Sequence, residues 1–255
     1  MANRKQVPAW LWLNLLSLDA PLIALVWQDF LARCYPAMLL PAGRAVLGLT
    51  VWAIYLTDRL LDVRHSAQGT ETVRRSFYRR HCNLLRLLLI LVLSVNALVA
   101  WFWLRPEVFD SGLLVTMGVV VYLVAFTLGR WREGSLKKLF AASLFTSGIF
   151  LITWIGTAQP GRKLMWPAAA FFGLCLGNLL MIEKWSRGEK ETARGWICLV
   201  LLCLFRGWSE NSRWFSAVII SAGGLGVLAF RGRTIPRDAR CVLADAVLLS
   251  PLLFR

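Results

Sequence analysis

Residues 84–103, LLRLLLILVLSVNALVAWFW, hold one charge, Arg86, and close on Trp101 and Trp103. A helix needs about 20 mainly apolar residues to cross the roughly 30 Å hydrocarbon core of a bilayer, and tryptophan rings collect where that core meets the headgroups. This stretch is therefore predicted to span a membrane. On the same ruler the chain divides into about nine segments, starting near residues 8, 45, 84, 111, 139, 165, 195, 214 and 241. The seventh, 195–205, and the ninth, 241–254, are short for full crossings. Residues 37–40, apolar but set between Pro36 and Pro41, are expected to form an interfacial connection. The expected fold is an all-α, polytopic transmembrane bundle of about nine spans, a single integral membrane domain over residues 1–255.

Composition agrees. The chain is 58% hydrophobic with a mean hydropathy of +0.59, well above the roughly 45–50% apolar content of a soluble domain. Its 13 Trp recur beside charged or chain-turning positions, as in Trp27-Gln28-Asp29, Trp101-Phe102-Trp103 and Trp131-Arg132, and are read as interfacial anchors. Arg4 and Lys5 precede the first apolar run with no small-residue cleavage pattern behind it, so that run is read as a retained span. The six Cys are dispersed, without a C-x-x-C pair or a His at metal spacing, and are taken as small apolar residues.

The net charge of +15 comes from 29 Lys and Arg against 14 Asp and Glu. In a soluble chain this would raise nucleic-acid binding. Here the cations fall between apolar runs, as topology signals and anionic-lipid contacts do, and no nucleic-acid motif accompanies them. Most of them fall on one side of the nine-span arrangement. The expectation is a protein of the cell (cytoplasmic) membrane with its N-terminus cytoplasmic and its C-terminus outside.

Ionisable groups within membrane segments are costly and mark pairs or sites. The candidates are Asp19, Asp58, Asp62, Glu183 and Asp245, with Asn14, Asn96 and Asn178 as uncharged companions. Asp19 and Asp245 are expected either to pair with Arg or Asn on a neighbouring helix or to line an acceptor pocket. Asp58-Arg59-Leu60-Leu61-Asp62 places two carboxylates four residues apart, on one helix face. Their repulsion needs compensation, either from Arg59, Arg64 and lipid headgroups or from Mg²⁺, which binds through one or two carboxylates plus substrate phosphates. The following basic run, Arg74-Arg75-Ser76-Phe77-Tyr78-Arg79-Arg80-His81, supplies donors suited to phosphate oxygens.

In these features the chain resembles the UbiA superfamily of intramembrane aromatic prenyltransferases, bundles of about nine spans with one aspartate-rich motif ending the second span and another after the sixth. Asp58-Arg59-Leu60-Leu61-Asp62 matches the first motif in residue type and place. Lys137-Lys138-Leu139-Phe140 resembles the basic start of the fifth span, and Asn178 through Trp185 occupies the position of the second motif. The resemblance implies transfer of a polyprenyl group from its diphosphate to a hydrophobic or aromatic acceptor, with membrane lipid as surroundings. It implies Asp58 and Asp62 as the catalytic, Mg²⁺-binding acids, Arg59, Arg64, Lys137 and Lys138 as diphosphate contacts, and Asn178 with Glu183 as a remnant of the second motif.

Three positions depart from the pattern: Ile54 replaces a polar residue four before Asp58, paired aspartates are missing around Asn178 and Glu183, and Gly129-Arg130-Trp131-Arg132 replaces a tyrosine-proline-lysine element. Two other classes stay open. One is a non-catalytic lipid-binding or assembly protein on the same bundle, and the other a small-molecule transporter using Asp19 or Asp245 as its coupling carboxylate.

Overall fold

Pro21 has no amide hydrogen to return to the carbonyl four residues earlier, so a helix running through it from near residue 8 would lose a bond. The computed structural model describes residues 11–65, 73–128, 135–187, 211–231 and 235–254. In it α1 (Trp12–Leu15) stops, Ser17 takes a left-handed φ of 53°, and α2 (Asp19–Cys34) begins with Pro21 in its first turn, where a missing amide is tolerated. The groups freed by the break find partners. Trp52 Nε1 donates to the Leu16 carbonyl at 2.9 Å, and the Ser17 and Tyr78 hydroxyls lie 2.8 Å apart. The continuous first span expected near residue 8 is thus corrected to a broken one. Asp19 becomes the first residue of a helix, where the macrodipole favours an acid.

The remaining elements are α3 (Pro41–His65), α4 (Val73–Arg80), α5 (Cys82–Trp103) and α6 (Pro106–Tyr122), which continues as a π-helical turn (Leu123–Leu128). After them come α7 (Ser135–Gly156), α8 (Pro160–Arg187), α9 (Ser212–Arg231), α10 (Arg237–Val247) and a 3₁₀ turn (Ser250–Phe254). Every regular element among the described residues is helical. Five helices, α5 to α9, are long and apolar enough to cross a membrane. Their outward faces carry Leu87, Leu91, Trp101, Phe102, Leu114 and Phe230 at 60–70% exposure, an apolar surface that suits lipid and not water. The chain is an all-α membrane protein.

The 16-residue α2 and the 11-residue α10 rise only ~24 and ~16 Å, short of a ~30 Å core. The ninth expected span is therefore corrected to α10 and its 3₁₀ turn, together too broken for one crossing. Residues 37–40 are non-helical between α2 and α3. The seventh expected span, 195–205, lies outside the described residues, as do Arg4, Lys5, residues 129–132 and Trp131.

α2 packs against α3, α7, α9 and α10, and so stands inside the bundle. Its Trp27, expected as an interfacial anchor, is instead fully buried. The reason is a complete set of partners: Trp27 Nε1 donates to the Leu248 carbonyl at 2.7 Å, and its ring centroid lies 4.8 Å from Phe171 and 5.0 Å from Trp214. A buried indole with its N–H satisfied acts as core. Trp101 and Trp103, at the end of α5, stay exposed.

The C-terminal end is held as firmly. Ser221 Oγ donates to the Val247 carbonyl at 3.1 Å, Ser250 Oγ donates to the Ala217 carbonyl at 2.8 Å, and the two hydroxyls lie 2.7 Å apart. At Gly224 a Cβ would stand 2.6 Å from Val247 Cγ1, so only glycine lets α9 and the end of α10 approach this closely. These contacts fix where the side chains of α10 point.

Candidate functional site

On α3, Leu47, Val51, Tyr55 and Asp58 recur at helical spacing and face one cavity of about 390 Å³, within the usual range of small-molecule pockets, roughly 300–1,000 Å³. Chain direction gives that cavity a polar and an apolar end. The C-terminal parts of α3 and α8 and the starts of α2, α7 and α10 bring Asp58, Arg59, Asn178, Asp19, Lys137 and Cys241 to one end, where α4 adds Arg74. The opposite end is walled by residues such as Ile23, Leu47, Val115, Phe145, Gly148 and Leu248.

The cations and acids of the polar end are arranged in two groups. In the first, Lys137 Nζ stands 3.5 Å from Asp58 Oδ1, and Lys138 Nζ stands 2.7 Å from Glu183 Oε2. Successive lysines of α7 thus reach acids on α3 and α8. The Lys137 contact is a loose ion pair, since Asp58 Oδ1 is buried with no hydrogen-bond partner among the described residues. Asn178 is 6% exposed, lines the cavity, and leaves its Oδ1 unpartnered as well.

In the second group, Asn14 Nδ2 donates to Asp19 Oδ2 at 2.8 Å and Arg74 Nη1 donates to Asn14 Oδ1 at 3.4 Å. Asp245, projecting from α10, lines the same cavity as Asp19, and burial, with the negative charge of Asp19, pushes its carboxyl well above the usual carboxylate range. Arg59 and Arg74 stand close enough to repel. The charge of Arg59, with removal from water, pushes the Arg74 guanidinium down to about 10, still cationic at neutral pH.

Of the residues singled out in the sequence, the cavity gathers Asn14, Asp19, Asp58, Arg59, Arg74, Lys137, Asn178 and Asp245. Asp62, Lys138 and Glu183 do not line it. Asp62 lies one turn beyond Asp58, within electrostatic reach of Asp58, Arg59, Lys137 and Arg74, and Glu183 is taken up by Lys138. The side chain of Arg64 lies outside the described residues. Asp19 pairs with an asparagine, Asn14, as one of its two expectations had it, and also lines the cavity. Tyr55 and Tyr122 line the cavity too. Tyr55 was legible as the residue three before Asp58 on its face, whereas Tyr122 carried no signal.

A Mg²⁺ ion would find oxygen donors here in the buried Asp58 and Asn178 Oδ1 atoms, neither hydrogen-bonded among the described residues. Among the described residues no three His, Cys, Asp or Glu side chains converge as a metal cage. Mg²⁺ usually keeps several waters and takes one or two carboxylates plus substrate phosphates, so these donors fit an ion that arrives with a diphosphate. Compared with known proteins, the chain matches no family model, no curated protein and no solved structure.

Proposed function

We propose that the chain is a UbiA-like intramembrane prenyltransferase, moving a polyprenyl group from an isoprenoid diphosphate to a hydrophobic or aromatic acceptor. The observation that carries this reading is the gathering of Asp58, Arg59, Arg74, Lys137 and Asn178 at the polar end of an otherwise apolar cavity inside a membrane bundle. That division suits a lipid with a polyanionic head. In the proposed topology the polar mouth faces the cytoplasm, with the N-terminus on that side and the C-terminus outside.

Arg59, Arg74 and Lys137 would donate to the diphosphate oxygens, Lys137 exchanging its loose contact with Asp58 for a phosphate. Asp58 and Asn178 would hold Mg²⁺, with Asp62 adding negative charge one turn out and Lys138 adding positive charge beside Glu183. When bound, the ion supplies charge neutralisation of the leaving diphosphate. Tyr55 and Tyr122 offer aromatic faces to the allylic cation that ionisation leaves, and the apolar walls keep water from it.

The Lys138 to Glu183 contact favours a second reading, a non-catalytic lipid-binding protein on the same bundle, because it neutralises the one acid left in the second-motif position. The test is release of diphosphate from labelled allylic diphosphates by the purified protein in lipid, with Mg²⁺ and a panel of acceptors. Enzyme activity predicts release that Asp58→Asn and Asp62→Asn abolish. Release that persists in both variants removes the assigned site, and binding without release across the panel favours the lipid-binding reading.

A further inference from the structure

Residues 73–103 carry five arginines and no Asp or Glu, and the two helices they form, α4 and α5, are nearly one. Only His81 stands between them, and its amide donates to the Phe77 carbonyl at 3.0 Å while its carbonyl accepts from the Leu85 amide at 2.9 Å. Counted back from Trp103 at about 1.5 Å per residue, a crossing of ~30 Å ends close to residue 83. Arg86 therefore lies in the last turn inside that boundary and Arg80 just beyond it, both exposed, with the exposed Asn83 between them. Arg80, Asn83 and Arg86, three residues apart, form one ridge of the helix surface. Leu84, Leu87 and Ile90 form the ridge beside it, at 60–65% exposure.

The level of α4 is fixed from its other face. Tyr78 is buried with its hydroxyl 2.8 Å from that of Ser17, Phe77 meets Trp12 edge to face at 6.0 Å, and Arg74 reaches the cavity. With that face engaged, Arg80 and Arg86 stay outside the bundle, and among the described residues neither is in an ion pair. Arg86 uses one donor on Asn83 Oδ1, at 3.5 Å, and keeps the rest of its guanidinium for a ligand. Paired guanidinium donors suit phosphate oxygens, and an exposed apolar ridge suits an acyl chain.

We infer that the outer face of the α4–α5 joint binds an anionic phospholipid, its phosphate held by Arg80 and Arg86 and one acyl chain lying along Leu84, Leu87 and Ile90. Basic residues immediately outside a span attract anionic lipid in general. A particular site arises here because donors and apolar ridge lie side by side, in the order in which a phospholipid presents its phosphate and its chains. The inference is independent of prenyl transfer, since neither arginine lines the cavity. A soluble phosphate ester would meet the same two arginines, but only a lipid also covers the leucines.

The test takes the full-length protein from vesicles of phosphatidylcholine doped with phosphatidylglycerol and counts, by native mass spectrometry, the lipids that stay bound. Wild type should retain phosphatidylglycerol in preference to phosphatidylcholine. Arg80→Gln/Arg86→Gln should cut that preference about fivefold or more, the share of even one arginine facing an anionic leaflet. Arg80→Lys/Arg86→Lys, which keeps both charges, should retain it. So should Arg162→Gln/Lys163→Gln, which removes two exposed cations at the start of α8, the opposite end of the bundle. Absence of the preference in wild type, its survival in the first variant, or its loss in either of the other two would each overturn the inference. Displacement of the lipid by soluble glycerol phosphate would overturn it as well, in favour of a site for free phosphate esters. Selective retention in a protein that never releases diphosphate would uphold the lipid site and dismiss prenyl transfer, and release without retention would do the reverse.

Discussion

Two acidic pairs sit at the polar end of this bundle, and they are held in opposite ways. Asp58 and Asp62 are four residues apart on one helix, and cations compensate them: Lys137 at 3.5 Å from Asp58, with Arg59 and Arg74 nearby. Asp19 and Asp245 come from opposite ends of the chain and line one cavity; an amide, Asn14 Nδ2, donates to Asp19 at 2.8 Å, and burial pushes Asp245 well above the usual carboxylate range. Like-charge repulsion in a poorly solvated site can be relieved by a counter-ion or by protonation. The first solution leaves an anion able to meet a metal ion, and the second leaves a group able to exchange a proton.

The comparison breaks most visibly in activity. Asp58→Asn should lower diphosphate release by roughly 10²–10³, the range for removing a group that stabilises transition-state charge. Next in size is Ser221→Ala/Ser250→Ala. It frees the end of α10 and should lower stability by about 2 kcal/mol, as expected for buried hydrogen-bonded groups, in a lipid-embedded thermal melt. In the same variant the Asp58 corner should keep its metal dependence.

Lys138→Ala releases Glu183 from a half-buried 2.7 Å pair and should cost about 1 kcal/mol in the same melt. If Glu183 then joins Asn178 as an oxygen donor, the Mg²⁺ concentration needed for half-maximal diphosphate release should fall. The smallest effect is expected at Arg33→Ala. Its contact with Asp29 is 3.9 Å long and half exposed, so stability should move by less than about 0.5 kcal/mol and both acidic pairs should be unaffected.

Much of the scaffold was legible because lipid imposes a simple requirement: some 20 apolar residues in a row, with every backbone group bonded inside the helix. Residues 84–103 fall almost residue for residue on α5, and α7, α8 and α9 lie where apolar runs predict them. Legibility failed where a local signal competed with that rule. Pro21 and the left-handed Ser17 cut the first apolar run, and only the arrival of Trp52 and Tyr78 from distant helices makes the cut tolerable. Trp27 beside Gln28 and Asp29 reads as an interfacial residue until Leu248, Phe171 and Trp214 surround it.

By itself the sequence determined that the protein is an all-helical membrane protein and that Asp58 and Asp62 share a face of α3, because hydropathy and helical period are local properties. Only the tertiary structure decided that Lys137 meets Asp58, that Lys138 takes Glu183, and that Asp19 and Asp245 line one cavity. Those outcomes depend on which helix ends converge at one level of the bundle. Convergence across 226 positions leaves no periodic trace in a chain, since it is set by packing against α9 and α2 and not by spacing.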